Sequence, residues 1–170
     1  MVEEGTVLDG DYLQSLGRHD IVYSWGVLHH TGAMWRALEN VSGLVDHNGL
    51  LYVAIYNDQG WLSHYWRFLK RRYNAGPVRR AVIVAANVPY FYLLAGAARI
   101  LKGKRRVRRG MSRWHDLKDW LGGYPFEVAK PQAVREFLLP LGFAQEQLRD
   151  CGRRSGCNEY VFRRLSGVQK

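Results

Sequence analysis

The sequence predicts an α/β fold built around a βαβ unit, and three stretches carry this prediction. Residues 19–25 form a short run rich in β-branched and aromatic side chains, which is typical of a buried strand. Residues 50–56 are an almost continuous apolar run, as expected of a parallel strand covered on both faces. Between them apolar residues recur at helical spacing, and strand, helix, strand in this order is a βαβ unit.

The helix of this unit is predicted from its apolar spacing and its expected ends. The recurring residues are Met34, Leu38, Val41 and Val45. Thr31 offers an N-cap, and Asn48-Gly49 is expected to close the helix with a turn.

Both ends of the chain also show regular patterns. Thr6-Val-Leu-Asp9 is expected to be the tail of a strand that leads into a helical turn at 11–16. Near the carboxyl end we expect a helix at 131–141 that begins at Pro131, and two strands at 143–150 and 158–164.

Charge is concentrated in one segment. The chain of 170 residues is long enough for one domain with a core, and its 47% hydrophobic and 24% charged residues are ordinary globular values. Residues 61–115 contain fourteen Lys and Arg and no Asp or Glu, whereas the rest contains eleven basic and fifteen acidic residues. The net charge of +10 therefore comes from one insert. We predict an α/β core at 1–57 and 121–165, and a helical, basic and aromatic insert at 58–120.

The insert begins with an amphipathic helix. Its apolar face carries Leu62, Trp66, Leu69 and Tyr73, and Arg67, Lys70 and Arg71 are expected mostly opposite. Eighteen uncharged residues follow at 81–98, then a basic tract at 102–109 and a short helix at 114–121.

The two cysteines and the amino terminus point to a reducing compartment. Cys151 and Cys157 fit no usual zinc-site spacing, so we expect two buried or partly buried free thiols. The opening Met1-Val-Glu-Glu is acidic where a signal peptide is basic, and we therefore expect a cytoplasmic protein.

Four stretches, taken in order and with their spacing, resemble the C-terminal half of class I S-adenosylmethionine-dependent methyltransferases of the ubiquinone- and menaquinone-biosynthesis-like type. They are 5–9, 20–32, 48–57 and 156–162. The resemblance implies a partial Rossmann-like sheet, strands 4-5-7-6 of the full fold, with the insert after the fifth strand. Strand 19–25 would then be an open, apolar edge, which invites pairing with another chain.

The resemblance also implies site residues. The cofactor S-adenosylmethionine would contact Thr6, Val7, Leu8 and Asp9 at its adenine and Ser24, Trp25 and Gly26 at its methionine part. For Asp9, simple capping of the next helix is an equal alternative. The acceptor would meet Tyr56, Asn57, Trp61 and Trp114, and the candidate bases are His29, His30 and His115, because imidazole titrates near neutral pH.

The chain departs from the family pattern where the cofactor is held. It contains no Gly-x-Gly-x-Gly turn, and the strand whose acidic end would hold the ribose is also absent. We therefore expect weak cofactor binding by this chain alone, and a fragment or split half of a larger enzyme. A non-enzymatic interaction module that uses the open edge is the alternative.

Three interpretations of the basic insert remain open. It could cover the active site and contact a membrane peripherally, so that a small or lipid-like acceptor is reached from the bilayer surface. It could bind nucleic acid, as in an RNA-modifying methyltransferase, although the uncharged run at 81–98 disfavours this. It could also be a buried helical hairpin whose charges face solvent.

Overall fold

The computed structural model of the chain describes residues 2–89, 93, 113–152 and 154–166. The chain divides into two compact units. The first comprises Met1–Ser63 with Phe126–Lys170, and the second is His64–Pro125.

The first unit contains a four-stranded mixed sheet in the order β1-β2-β4-β3. The strands are β1 (His19–Trp25), β2 (Val45–Tyr56), β3 (Phe143–Arg149) and β4 (Cys157–Arg164). β1 runs parallel to β2, and β4 runs antiparallel to both β2 and β3. The predicted order 4-5-7-6 is therefore confirmed, with β1 at one edge of the sheet.

Helices cover one face of this sheet. The unit contains α1 (Gly10–Ser15), a 3₁₀ helix (Leu28–His30), α2 (Met34–Gly43), α6 (Pro131–Leu138) and a second 3₁₀ helix (Leu139–Leu141). Apolar side chains of α2, β2, β4 and α6 form the core, among them Leu38, Ile55, Phe162 and Leu138, which are fully buried. Burial of such side chains supplies most of the stabilisation of the unit.

The other face of the sheet is exposed along β1. Ile21, Tyr23 and Trp25 alternate along the strand and are 61%, 64% and 48% exposed. Tyr23 lies parallel to Trp25 with 6.0 Å between ring centroids, and 6.4 Å from Tyr52 of β2. β1 thus presents an aromatic surface next to its free edge.

Three local predictions are wrong. Residues 6–9 form no strand, because a strand needs a hydrogen-bonded neighbour and none is present there. Thr31 is not the N-cap of α2. Ala33 is, and the Thr31 hydroxyl accepts a hydrogen bond from the Ala33 N–H. The helix ends at Gly43, so Val45 is not part of it but begins β2. Asn48-Gly49 does not close the helix but lies inside β2, with Asn48 at φ 62°.

The described residues of the second unit form helices. These are α3 (Trp61–Tyr73), whose first turn belongs to the first unit, α4 (Pro77–Pro89) and α5 (Arg113–Gly122). Trp66 of α3 and Trp120 of α5 pack edge to face with 5.6 Å between their centroids. Lys70 is fully buried rather than on the solvent side, which corrects the predicted orientation.

Only part of the insert lies within the described residues. α4 covers the uncharged run as far as Pro89, and most of 90–98 and all of the basic tract at 102–109 lie outside the described residues. Within the described residues, no helix is both long and apolar enough to cross a bilayer.

Candidate functional site

The candidate site lies at the carboxyl ends of β1 and β2. In open α/β sheets, ligands bind at this edge of parallel strands. β1 ends at Trp25, and Gly26 follows with φ 74°, a conformation that favours glycine. A Cβ placed on Gly26 would meet no atom within 4 Å. The strand therefore ends in a turn whose backbone is open on one side, with Ser24 buried beneath it.

The two histidines follow in the 3₁₀ helix and meet the end of β2. The ring centroids of His29 and Tyr56 are 4.0 Å apart, and those of His30 and Tyr56 are 5.5 Å apart. His29 is 1% exposed, whereas His30 is half-buried. Phe126 closes the cluster, 5.1 Å from Tyr56. We call His29, His30, Tyr56 and Phe126 the aromatic cluster.

The electrostatic surroundings keep the Tyr56 phenol neutral. Burial raises its pKa above the usual value of 10.0, and the Cys157 thiol contributes in the same direction. Cys157 is the residue opposite Tyr56 in the β2–β4 ladder, and burial also raises the pKa of its thiol to about 11. Both cysteines are free and partly buried, as predicted.

Glu127 holds the aromatic cluster in place, and it is not among the predicted site residues. Its backbone N–H donates to the His29 carbonyl at 3.0 Å. Its carboxylate accepts a hydrogen bond from the Met34 N–H, also at 3.0 Å, at the start of α2. A carboxylate suits a helix amino terminus because it meets free N–H groups and the positive end of the helix dipole. Since Met34 is 93 positions away, no local pattern could have revealed this contact.

The side chain of Asn57 forms hydrogen bonds with the loop between β3 and β4 and with β4 itself. Its side-chain oxygen accepts from the Asn158 amide at 3.0 Å, and its own amide donates to the Gly152 carbonyl at 2.6 Å. Asn158 is fully buried and also accepts from the Cys151 N–H at 2.9 Å. The structure therefore gives the Asn57 side chain a structural role beside Tyr56.

The predicted adenine segment forms a cap and a turn. The Asp9 carboxylate accepts from the Tyr12 N–H at 3.0 Å at the start of α1, which is the capping alternative. The Val7 carbonyl accepts from the Asn40 amide at 2.9 Å, and Val7 and Leu8 pack against the core. Thr6 accepts from the Leu8 N–H at 3.3 Å.

The remaining predicted site residues belong to helices α3 and α5, not to the elements that form the aromatic cluster. Trp61 begins α3 and is 76% exposed. Trp114 and His115 belong to α5 in the second unit. Among the described residues, no group of three or more His, Cys, Asp or Glu side chains is arranged to hold a metal ion.

Comparison with protein-family models finds no match, and comparison with curated proteins finds none either. Solved structures do match. An O-methyltransferase family protein from Burkholderia thailandensis is 16% identical with a TM-score of 0.52, and the match covers 97% of this chain and 36% of that one. PKMT2 from Rickettsia typhi is 13% identical with a TM-score of 0.53, and the match covers 96% of this chain and 39% of that one. PKMT2 in complex with AdoHcy matches at 13% identity, a TM-score of 0.52 and the same coverage.

These similarities establish the fold. The mixed sheet and its helices have the arrangement of part of a methyltransferase-like fold. The chain spans a little over a third of the length of the structures it matches.

Proposed function

We propose that the chain is part of a class I S-adenosylmethionine-dependent methyltransferase that methylates a small or lipid-like acceptor. The sheet carries this proposal, because its strand order is the one implied by the family resemblance. The match to an O-methyltransferase family protein over 97% of the chain supports it. AdoHcy, present in one matched structure, is what S-adenosylmethionine becomes when its methyl group is transferred.

Under this proposal the turn after β1 meets the methionine end of this cofactor. Gly26 leaves open space beside its backbone, and the half-exposed indole of Trp25 lies next to it. When bound, S-adenosylmethionine supplies a methyl group already activated by its sulfonium. The chain then has to align the acceptor with this methyl group, because holding reactants in line contributes much of the rate of such reactions.

Within the aromatic cluster we assign the two histidines different roles. His30 is partly exposed and lies 5.5 Å from the Tyr56 ring, so it can meet an acceptor and take its proton. His29 is 1% exposed and its carbonyl is held by the Glu127 N–H. His29 therefore positions the turn, and His30 is the base.

The other end of the cofactor site must come from elsewhere. The sequence has no Gly-x-Gly-x-Gly turn, so the usual cradle for the cofactor is missing from this chain. At the same time β1 is an edge strand of the sheet formed by the described residues, and its Ile21 and Tyr23 are exposed. We propose that a further polypeptide segment pairs with β1 and completes the site.

Titration of the chain with AdoHcy, followed by amide chemical shifts, tests this proposal. We expect weak binding, with dissociation constants of about 1 mM, and shifts concentrated at residues 24–30. Gly26→Ala should abolish these shifts, because it fills the open side of the turn and strains a backbone at φ 74°. Gly17→Ala is the matched control, since Gly17 has φ 73° and equally open surroundings at the other end of β1.

Two results would count against the proposal. If no shifts occur at residues 24–30, or if both glycine variants behave alike, the cofactor does not bind at this turn. If a monodisperse monomer binds the cofactor with a dissociation constant of about 1 μM, the site is complete and the need for a further segment is refuted.

A further inference from the structure

Helix α3 exposes aromatic side chains and buries a lysine. Trp61, Tyr65 and Phe68 are 76%, 46% and 55% exposed, and their spacing of four and three residues places them in one stripe along the helix. The opposite face buries Trp66 and the whole of Lys70. A helix on the protein surface usually buries its aromatic side chains and exposes its lysines. Because α3 does the reverse, its exposed aromatic stripe indicates an interaction surface.

Cations accompany the exposed stripe. Arg71 and Arg72 are exposed in the last turn of α3, and the Arg72 guanidinium lies 5.0 Å from the centre of the Phe68 ring. Residues 61–115 include fourteen Lys and Arg and no Asp or Glu. Large apolar rings and cations therefore share one surface.

Helix α4 repeats this combination. Val78 and Val82 lie one turn apart and are 76% and 63% exposed, and Arg79 and Arg80 between them are also exposed. The Arg80 guanidinium lies 5.2 Å from the centre of the Tyr73 ring, so α4 packs against the end of α3. Each helix thus presents apolar side chains together with arginines.

We propose that the exposed sides of α3 and α4 bind the surface of an anionic lipid bilayer. Helices that lie in a membrane interface combine buried apolar side chains with Lys and Arg that meet anionic headgroups. The valines favour lipid over nucleic acid, because bases stack on aromatic rings but not on branched aliphatic side chains. The proposal goes beyond methyl transfer and does not depend on cofactor binding.

Co-sedimentation of the whole chain with vesicles tests this inference. The vesicles are phosphatidylcholine alone, or phosphatidylcholine with about 30 mol% phosphatidylglycerol. We expect retention by the anionic vesicles only, weakening as salt is added. Replacing both Arg71 and Arg72 by Gln should lower the partition coefficient about 25-fold, since each cation near such a surface contributes about fivefold.

A second double variant separates the contribution of apolar side chains to vesicle binding from the contribution of charge. Tyr65→Gln with Phe68→Gln leaves every charge in place and should still lower partitioning about tenfold or more. Leu139→Gln is the matched control, because Leu139 is 61% exposed in the first unit and should leave partitioning unchanged.

The proposal is overturned if the anionic vesicles retain the chain no better than the neutral ones. It is equally overturned if Tyr65→Gln with Phe68→Gln binds vesicles as the unaltered chain does. Retention by single-stranded RNA at a salt concentration where vesicles retain nothing would identify the surface as a nucleic-acid site instead.

Discussion

Replacement of Lys70 by Met removes an ammonium group from the interior of the second unit. Lys70 is 0% exposed, and its Nζ donates a hydrogen bond to the Trp120 carbonyl near the end of α5. The same Nζ lies 4.2 Å from the centre of the Trp120 ring. Burial lowers the pKa of Lys70 from 10.5 to about 8. The fold therefore keeps a charge in an environment that disfavours it.

The size and sign of the pH effect follow from this pKa. A fall from 10.5 to about 8 corresponds to about 3 kcal/mol of unfavourable free energy in the charged form. Below pH 8 Lys70 is protonated in both the folded and unfolded states, and the folded state bears the whole cost. Between pH 8 and 10.5 the folded state loses the proton first, so the unfolded state binds more protons and stability rises with pH. Above 10.5 the gain is complete.

We expect the free energy of unfolding of the unaltered chain, minus that of Lys70→Met, to rise across this window by up to about 3 kcal/mol. Urea unfolding followed by circular dichroism at several pH values measures the difference, and the subtraction cancels groups that titrate in both proteins. Lys118→Met is the control, because it replaces an exposed lysine of α5 by the same residue. A difference that stays flat, or falls as pH rises, would refute the reasoning.

Two further substitutions test contacts in the first unit. Glu127→Gln should lower the free energy of unfolding, measured by urea denaturation, by about 1 kcal/mol. The reason is that a neutral amide interacts less well than a carboxylate with the Met34 N–H at the start of α2. An unchanged free energy would show that the carboxylate charge does not contribute there. Gly49→Ala should cost about 1–3 kcal/mol, since its Cβ would lie 2.9 Å from the Asp20 carbonyl oxygen. Gly43→Ala in α2 meets nothing within 4 Å and should cost nothing, so equal losses in the two alanine variants would contradict this account.

The elements that sequence predicted well are those whose pattern matches their burial. β2 is apolar at almost every position from residue 50 onward because it lies inside the sheet, and its run was recognised for that reason. The strand predicted at 6–9 does not form, because strand formation depends on a neighbouring strand, which local composition does not reveal. The turn predicted at Asn48-Gly49 is wrong because the same residue types occur in turns and at irregular points within strands.

The candidate site shows the same division between local and distant information. The family resemblance implies His29, His30 and Tyr56 as site residues, and the structure brings their rings together at the ends of two strands. Glu127 was missed because it acts across a long sequence separation. Lys70 is predicted on the solvent side because lysine is seldom buried, whereas in the structure it contacts the carbonyl and the ring of Trp120, 50 positions away.

The supports of the aromatic cluster come from the covered side of the sheet and from its loops. Glu127 ties the histidine turn to the start of α2, and Asn57 with Asn158 ties the end of β2 to the loop after β3. None of these hydrogen bonds involves the exposed side chains of β1. Under the proposed function, the acceptor side of the site is thus already fixed within this chain, whereas the cofactor side depends on what pairs with β1. Adding the missing segment should therefore raise cofactor affinity while leaving the contacts of Glu127 and Asn57 unchanged.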